Sequence, residues 1–144
     1  MEHVSDILDE KGREVLSIDG EATVFDAIKR MVEANVGSLL VFEGRRLAGI
    51  VTERDYLRRV ALEGRTEKET AVREIMTAPL VYVTPDTTLD ECMAVVTERR
   101  IRHLPVLDAD REVLGVISIG DLVKYRSKQQ DVQIRLLTDY ISSA

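Results

Sequence analysis

Apolar side chains recur at helical spacing after two threonines of the chain. The first set predicts a helix, because its members lie three and four residues apart: Val24, Ala27, Ile28, Met31 and Val32. The second set has the same spacing: Leu89, Cys92, Met93 and Val96. Thr23 and Thr88 are residue types that cap helices, and Glu91 completes a capping box with Thr88. We therefore predict amphipathic helices beginning after both threonines, the first ending near Asn35 and Gly37.

Three further helices are predicted from shorter patterns. Val4, Ile7 and Leu8 give a short amphipathic turn. A helix from about Thr52 to Glu63 carries Tyr56, Leu57 and Val60 on one face and ends at Gly64. The last helix begins after Ser118, and its pattern extends through Val132, Leu136, Leu137 and Tyr140.

Six short apolar runs, rich in β-branched residues, predict strands. They are Val15–Ile18, Ser38–Phe42, Leu47–Val51, Leu80–Val83, His103–Leu107 and Val113–Ser118. The charged segment Arg65–Thr70 is interpreted as a linker.

The chain repeats itself. Residues 49–55 read GIVTERD and residues 115–121 read GVISIGD, 66 residues further on. Residues 36–41 match 101–106, and residues 4–8 match 72–76. We therefore predict an α/β (α+β) fold of two βαββα units, with the halves at 1–70 and 71–144.

Composition excludes several classes of protein. The chain has 144 residues, 44% hydrophobic and 32% charged, as in an ordinary soluble protein. One cysteine and two histidines make a metal site or a disulfide framework improbable. No apolar run approaches the roughly 20 residues of a membrane span, and the acidic N-terminus is not a secretory signal, so we expect a cytoplasmic protein. The net charge of −6 disfavours nucleic-acid binding.

Two strand-to-helix turns are the chemical candidates. Thr52 and Asp55 form one, and Ser118 and Asp121 repeat it. An aspartate in this position can accept two hydrogen bonds from a diol, which suits a ribose, while the helix start attracts a phosphate. The alternative is plain helix capping, which is the commoner role for one copy alone. Two copies in matching units favour a binding site.

Basic residues lie near both turns. Arg102 and His103 sit at the entrance of a strand in the second half, and Arg54 stands in the helix start of the first. Each has an alternative role in a solvated loop or a surface ion pair. Tyr82 can stack on a base or be an ordinary half-buried strand residue. Cys92 is interpreted as a small buried hydrophobe. We find no nucleophile, acid or base placed by a motif, so we predict a protein that is not an enzyme.

The order of these motifs resembles the CBS-domain pair, or Bateman module, in its small stand-alone form. The likeness covers nearly the whole chain and rests on GIVTERD, GVISIGD, NVGSLLV and RIRHLPV. It implies two units related by a pseudo-twofold axis, packed sheet to sheet, with two clefts that bind AMP, ADP, ATP, NAD(H) or S-adenosylmethionine. It further implies a homodimer formed through amphipathic helices.

The resemblance also assigns roles to residues. Asp55 and Asp121 would hold ribose hydroxyls, and Thr52 and Ser118 would contact ribose or phosphate. The remaining positions would line the ligand: Val15, Val36, Gly37, Ser38, Arg54, Tyr82, Arg102, His103, Leu104 and Pro105. The two sites are expected to differ, because Gly37 and Ser38 stand where the second half has Arg102 and His103.

Three hypotheses follow from the sequence. The first is a regulatory module that senses an adenine nucleotide and acts in trans on a partner protein. The second is an enzyme, for which the residues give no catalytic arrangement. The third is a dimerisation scaffold with vestigial clefts. The retention of aspartate in both copies disfavours this hypothesis.

Overall fold

The computed structural model describes residues 2–127 and residue 135, and the chain forms two compact units. One unit is Val15–Val81, here called the Asp55 unit. The other, the Asp121 unit, combines the described parts of 1–14 and 82–144. These units differ from the predicted halves at 1–70 and 71–144, because each exchanges its leading segment.

The Asp55 unit is built on a three-stranded sheet. Helix α1 (Val4–Lys11) precedes it in the chain, and its own elements are β1 (Ser17–Asp19), α2 (Val24–Ala34), β2 (Ser38–Glu43), β3 (Arg46–Thr52), α3 (Glu53–Tyr56) and α4 (Val72–Ile75). The strand order is β1-β2-β3, with β1 parallel and β3 antiparallel to β2. After α3 the chain continues as a π-helical turn, Leu57–Ala61, where the sequence predicts one continuous helix.

One face of α2 packs on the sheet to form the core of this unit. Val24, Ala27 and Met31 are buried against Leu39, Val41 and Val51. Thr23 accepts the Asp26 N–H at 3.1 Å, and Asn35 ends the helix in the left-handed conformation at φ 55°. The prediction is wrong for Val32, which is 73% exposed.

The Asp121 unit repeats this plan with a reduced sheet. Its elements are α1, α5 (Leu89–Arg99), β4 (His103–Leu107), β5 (Val113–Ser118) and α6 (residues 119–127). The predicted strand Leu80–Val83 is wrong: only Val83 pairs, with Val106, because Pro79 and Pro85 remove backbone donors on both sides. The predicted extension through Val132, Leu136, Leu137 and Tyr140 lies outside the described residues.

The leading helix of each repeat is hydrogen-bonded to residues of the other repeat. Val4 N–H donates to Thr87 O at 2.8 Å, and Val72 N–H donates to Ala22 O at the same distance. The bridges His3–Thr88 and Thr23–Ala71 flank these bonds in equivalent places. Helix α1 therefore has the same position in the Asp121 unit, beside β5, as α4 has in the Asp55 unit, beside β3. Because each leading helix belongs to the unit of the other repeat, the compact units do not follow the sequence halves.

The charged segment Arg65–Thr70 is largely exposed but is attached to the Asp55 unit at Glu67 and Thr70. Thr70 is buried and its carbonyl accepts the Val24 N–H at 2.8 Å. The Tyr56 hydroxyl donates to Glu67 Oε1 at 2.7 Å, which raises the pKa of Tyr56 and lowers that of Glu67. The segment contains no helix or strand and connects the end of the π-helical turn to α4, as the prediction of a linker requires, but Thr70 and Glu67 fix it to the Asp55 unit. Within residues 2–127, no helix has the length and apolar character needed to cross a membrane.

Candidate functional site

Strand β3 ends in a closed hydrogen-bonded turn. The Asp55 N–H donates to Thr52 Oγ1 at 3.2 Å, and the Thr52 N–H donates back to Asp55 Oδ2 at 3.0 Å. The Thr52 hydroxyl also donates to the same carboxylate oxygen at 3.2 Å. This reciprocal arrangement is a capping box, so threonine and aspartate fix each other at the start of α3.

Strand β5 ends in the same turn. The Asp121 N–H donates to Ser118 Oγ at 3.1 Å, and the Ser118 N–H donates to Asp121 Oδ2 at 2.8 Å. The next backbone N–H is also used alike, since Glu53 donates to Gly37 O and Ile119 donates to Arg102 O. The structure therefore confirms helix capping at both turns and shows that the two copies share one backbone geometry.

The predicted neighbours on the hairpins lie at these turns. In the strand register Ser38 pairs with Thr52, and His103 pairs with Ser118. Gly37 and Arg102 precede them and supply the carbonyls just described. Arg54 follows as an exposed residue of α3. The structure thus groups Gly37, Ser38, Thr52 and Asp55 in one unit, and Arg102, His103, Ser118 and Asp121 in the other.

Four predicted residues stand apart from this grouping. The side chains of Leu104 and Pro105 are buried, and both residues pair within β4 and β5. Tyr82 is exposed with the Arg111 guanidinium 5.4 Å from its ring centre, and Val15 is half-buried before β1. Among the described residues, neither Val15 nor Tyr82 makes a hydrogen bond to either turn. Their contact with a ligand stays a prediction.

Asp55 is more enclosed than its sequence suggests. It is only 8% exposed, whereas an aspartate in a first helical turn is expected to be partly exposed. Its second oxygen, Oδ1, accepts the Thr77 hydroxyl at 3.0 Å, so both oxygens have donors. The expectation of a partly exposed aspartate is therefore wrong for Asp55, because Thr77, in the segment after α4, lies against it.

Asp121 is held by a cation instead. Lys11 Nζ, at the end of α1, donates to Asp121 Oδ2 at 2.6 Å and to Val116 O at 2.7 Å. The two side chains are 23% and 40% exposed for Asp121 and Lys11. Burial raises the pKa of Asp121, but the Lys11 and Ser118 hydrogen bonds and the Lys11 charge together lower it below its ordinary value. Asp121 is therefore ionised and partly open to solvent.

Lys11 and Thr77 occupy equivalent places beside the two aspartates, and neither is among the residues predicted from the sequence. Thr77 bonds Asp55 through its hydroxyl and the Ile50 carbonyl through its N–H at 2.8 Å. Lys11 reaches the matching aspartate and the matching carbonyl, Val116 O, with one ammonium group. The repeat aligns Thr77 with Asp9, two residues before Lys11, because α1 is longer than α4. No sequence signal joins the two residues.

A groove of about 530 Å³ lies beside the first turn in the Asp55 unit. It runs along α2 and α3, and its lining is largely apolar: Ile28, Met31, Val32, Asn35, Val36, Gly37, Glu53, Tyr56 and Leu57. Leu57 is 55% exposed beside Val32. The predicted apolar face of Tyr56, Leu57 and Val60 is divided, because Val60 is fully buried while Leu57 faces solvent.

Cys92 is confirmed as a buried residue of α5. Burial, with a smaller contribution from Glu91, raises the pKa of its thiol to about 11. The thiol therefore stays protonated at neutral pH and lacks the thiolate that a nucleophile needs.

Two compact units with matching hairpins and matching capped turns define a tandem pair of α+β modules. The CBS domain model matches residues 4–62 and again residues 72–128, so the chain belongs to the CBS-domain family. The resemblance stated from the sequence motifs is confirmed, and so is the fold class.

Several relatives whose names include CBS domains match most of the chain. The chain is 41% identical over 150 residues to the CBS domain-containing protein CBSX3, mitochondrial, of Arabidopsis thaliana, covering 96% of this chain and 71% of that protein. A solved structure of a putative signal-transduction protein with CBS domains from Burkholderia ambifaria is 52% identical with a TM-score of 0.82, covering 85% of this chain and 92% of the other. The hexameric CBS-CP12 protein of bloom-forming cyanobacteria is 33% identical with a TM-score of 0.76, covering 85% and 70%.

Proposed function

We propose that this protein is a regulatory module that binds an adenine nucleotide, AMP, ADP, ATP or NAD(H), at the Asp55 and Asp121 turns. CBS-domain pairs are regulatory and nucleotide-binding in many members of the family. One observation carries the proposal: two turns 66 residues apart place a carboxylate, a hydroxyl and a backbone carbonyl in the same hydrogen-bonding pattern. Capping explains each turn alone, but not the close match of the strands and helices around both.

A carboxylate has capacity for a ribose beyond its present donors. An ionised aspartate offers about four acceptor positions. In the Asp121 unit, Lys11 Nζ and the Ser118 N–H use one oxygen, Oδ2. A diol is therefore free to donate to the other oxygen. Asp55 accepts three donors, so a diol there has to replace the Thr52 or Thr77 hydroxyl.

We propose a binding role rather than catalysis. S-adenosylmethionine carries the same adenosyl diol and is the alternative ligand. A scaffold without ligand is the alternative function. Incubation with ATP, AMP and NADH tests catalysis, since turnover of any of them contradicts the binding role.

Two further statements stay predictions: that the protein acts in trans on a partner protein, and that it is cytoplasmic. One relative, CBSX3 of Arabidopsis thaliana, has the word mitochondrial in its name.

Nucleotide binding is expected to raise the melting temperature. A ligand at 100 times its dissociation constant stabilises the folded state by about 2.7 kcal/mol. For a chain of this length that corresponds to a shift of roughly 5–10 °C. Differential scanning fluorimetry with AMP, ADP, ATP and NADH, after removal of any co-purified nucleotide, measures the shift. S-adenosylmethionine is measured beside them. A shift with S-adenosylmethionine alone would make it the ligand instead of a nucleotide, and no shift with any of the five compounds would favour the scaffold.

We also propose that the protein is a homodimer and that the groove in the Asp55 unit takes part in the contact. Exposed apolar side chains cluster there, with Val32 and Leu57 on its rim, and such clusters mark association surfaces. Self-association occurs in the family, since the CBS-CP12 relative is hexameric. On α6 of the other unit, Leu122, Val123 and Tyr125 are also candidates for the contact, but this helix contributes less, because Leu122 is fully buried and only Val123 of the three is exposed.

Light scattering is expected to give twice the monomer mass of 16.2 kDa at micromolar concentration. Leu57→Asp places a charge in the groove, and we expect it to shift the mass to that of the monomer. Leu62→Asp is the matched control, because Leu62 is 83% exposed and does not line the groove. A parent that is already monomeric, or a Leu57→Asp variant that remains dimeric, contradicts this proposal.

A further inference from the structure

The two turns have the same backbone but different charges around them. Lys11, Arg102 and His103 stand at the Asp121 turn, where the Asp55 turn has Thr77, Gly37 and Ser38. The Asp55 turn adds Arg54, but the acidic Glu53 adjoins it. Within residues 2–127 no ion pair reaches Asp55, whereas Lys11 pairs with Asp121 at 2.6 Å. The Asp121 turn is therefore the less negative of the two.

We propose that Lys11 is a specificity-determining residue that makes the Asp121 turn the site for phosphorylated nucleotides. The inference rests on the proposed function, nucleotide binding at both turns, and adds that the Asp121 turn selects ligands that carry a phosphate. A bare carboxylate repels a phosphate, because like charges at short range disfavour binding. The Lys11 ammonium cancels that charge and leaves Asp121 Oδ1 available to a ribose hydroxyl.

The Lys11 ammonium group has capacity for one more hydrogen bond. Its side chain is 40% exposed and carries three donors, of which Asp121 and Val116 O take two. The third is open to a phosphate oxygen, and an ammonium–phosphate hydrogen bond is charge-assisted and strong. Thr77, its equivalent, is neutral and donates only one hydroxyl hydrogen, to Asp55.

The same geometry makes Lys11 a competitor for a ligand without phosphate. It occupies Asp121 Oδ2, one of the two oxygens that a ribose diol seeks. Removal of the ammonium is therefore expected to affect two ligands in opposite directions. AMP loses a cation, while adenosine, which carries the diol alone, gains access to both carboxylate oxygens.

A site-resolved titration tests the proposal. The amide resonances of Ser118 and Ile119 report the Asp121 turn, and those of Thr52 and Glu53 report the Asp55 turn. Parent protein, Lys11→Met and Lys11→Arg are each titrated with AMP, ATP and adenosine by NMR. Lys124→Met is the matched control, because Lys124 is an exposed residue of α6 outside the turn and its loss changes the net charge equally.

In Lys11→Met we expect affinity for AMP and ATP at the Asp121 turn to fall about tenfold or more. Adenosine affinity is expected to stay equal or to rise, and the Asp55 turn is expected to be unchanged. Lys11→Arg keeps the charge and should retain most of the AMP affinity. Equal losses for AMP and adenosine assign Lys11 a structural role and overturn the inference, as does unchanged AMP affinity. If the parent binds no ligand at either turn, the proposed function fails with it.

Discussion

Gly49→Ala is expected to lower the free energy of unfolding by about 3 kcal/mol, the upper range for an overpacked core. A Cβ at this position would lie 2.5 Å from the carbonyl oxygen of Thr77 and 3.1 Å from the sulfur of Met76. The Thr77 oxygen is backbone, and it accepts the Ile50 N–H at 3.1 Å. The methyl group therefore has to push the segment after α4 away from β3. Urea denaturation followed by circular dichroism measures the loss.

The chain provides two matched controls for this substitution. Gly115→Ala is the equivalent change in the other unit, but its nearest neighbour is the end of the Leu8 side chain at 2.7 Å, which can rotate. We expect a smaller loss there, of about 1–2 kcal/mol. Gly120→Ala meets only Ser118 Oγ at 3.5 Å in α6, so alanine should be neutral or stabilising. Equal effects at Gly49 and Gly120 contradict the close approach of the segment after α4.

Asp55→Ala is expected to lower the free energy of unfolding by about 2–3 kcal/mol, because it removes a buried carboxylate that accepts three hydrogen bonds. The Thr52 N–H loses its acceptor, and the Thr77 hydroxyl loses its partner. Asp55→Asn keeps one acceptor oxygen and should cost less. Chemical denaturation of the two variants and the parent gives the difference.

Asp121→Ala is the natural comparison, and it should cost about 1 kcal/mol or less. Its ion pair with Lys11 is partly exposed, and exposed pairs contribute little to stability. The sequence alone predicts equal effects on stability for the two aspartates, since both stand in the same motif. Equal losses in the two alanine variants would contradict the difference in enclosure.

The sequence predicts the parts of the fold that local chemistry determines. Thr23 and Thr88 cap helices as expected, and Asn35 ends α2 in the left-handed conformation. The hairpin strands β4 and β5 have the predicted bounds, His103–Leu107 and Val113–Ser118. These features depend on residue type and on neighbours within a few positions, so one copy of the pattern is sufficient.

The features that the sequence misses depend on distant segments. The helix α1 completes the Asp121 unit from more than 100 residues away in the chain, as the Lys11 bond to Val116 shows. Thr77 covers Asp55 across 22 residues. Neither contact has a periodic signal. The repetition of the motif predicts the two turns themselves, but the enclosure of Asp55 and the charge beside Asp121 follow only from the fold.

Calorimetric titration of Asp121→Ala tests most directly whether an adenine nucleotide binds at the Asp121 turn. A charge-assisted hydrogen bond to a ribose hydroxyl is worth about 1.5–3 kcal/mol, which corresponds to roughly 10- to 150-fold in affinity. AMP, ATP and NADH are titrated into the nucleotide-free parent, Asp121→Ala and the Lys124→Met control. We predict that the parent and the control bind at least one ligand with the same affinity and stoichiometry, and that Asp121→Ala binds it at least tenfold more weakly at one site, so that this site weakens or is lost from the stoichiometry. Equal affinity and equal stoichiometry for the parent and Asp121→Ala, or no binding to the parent, would contradict nucleotide binding at the Asp121 turn and leave Asp121 as a helix-capping residue.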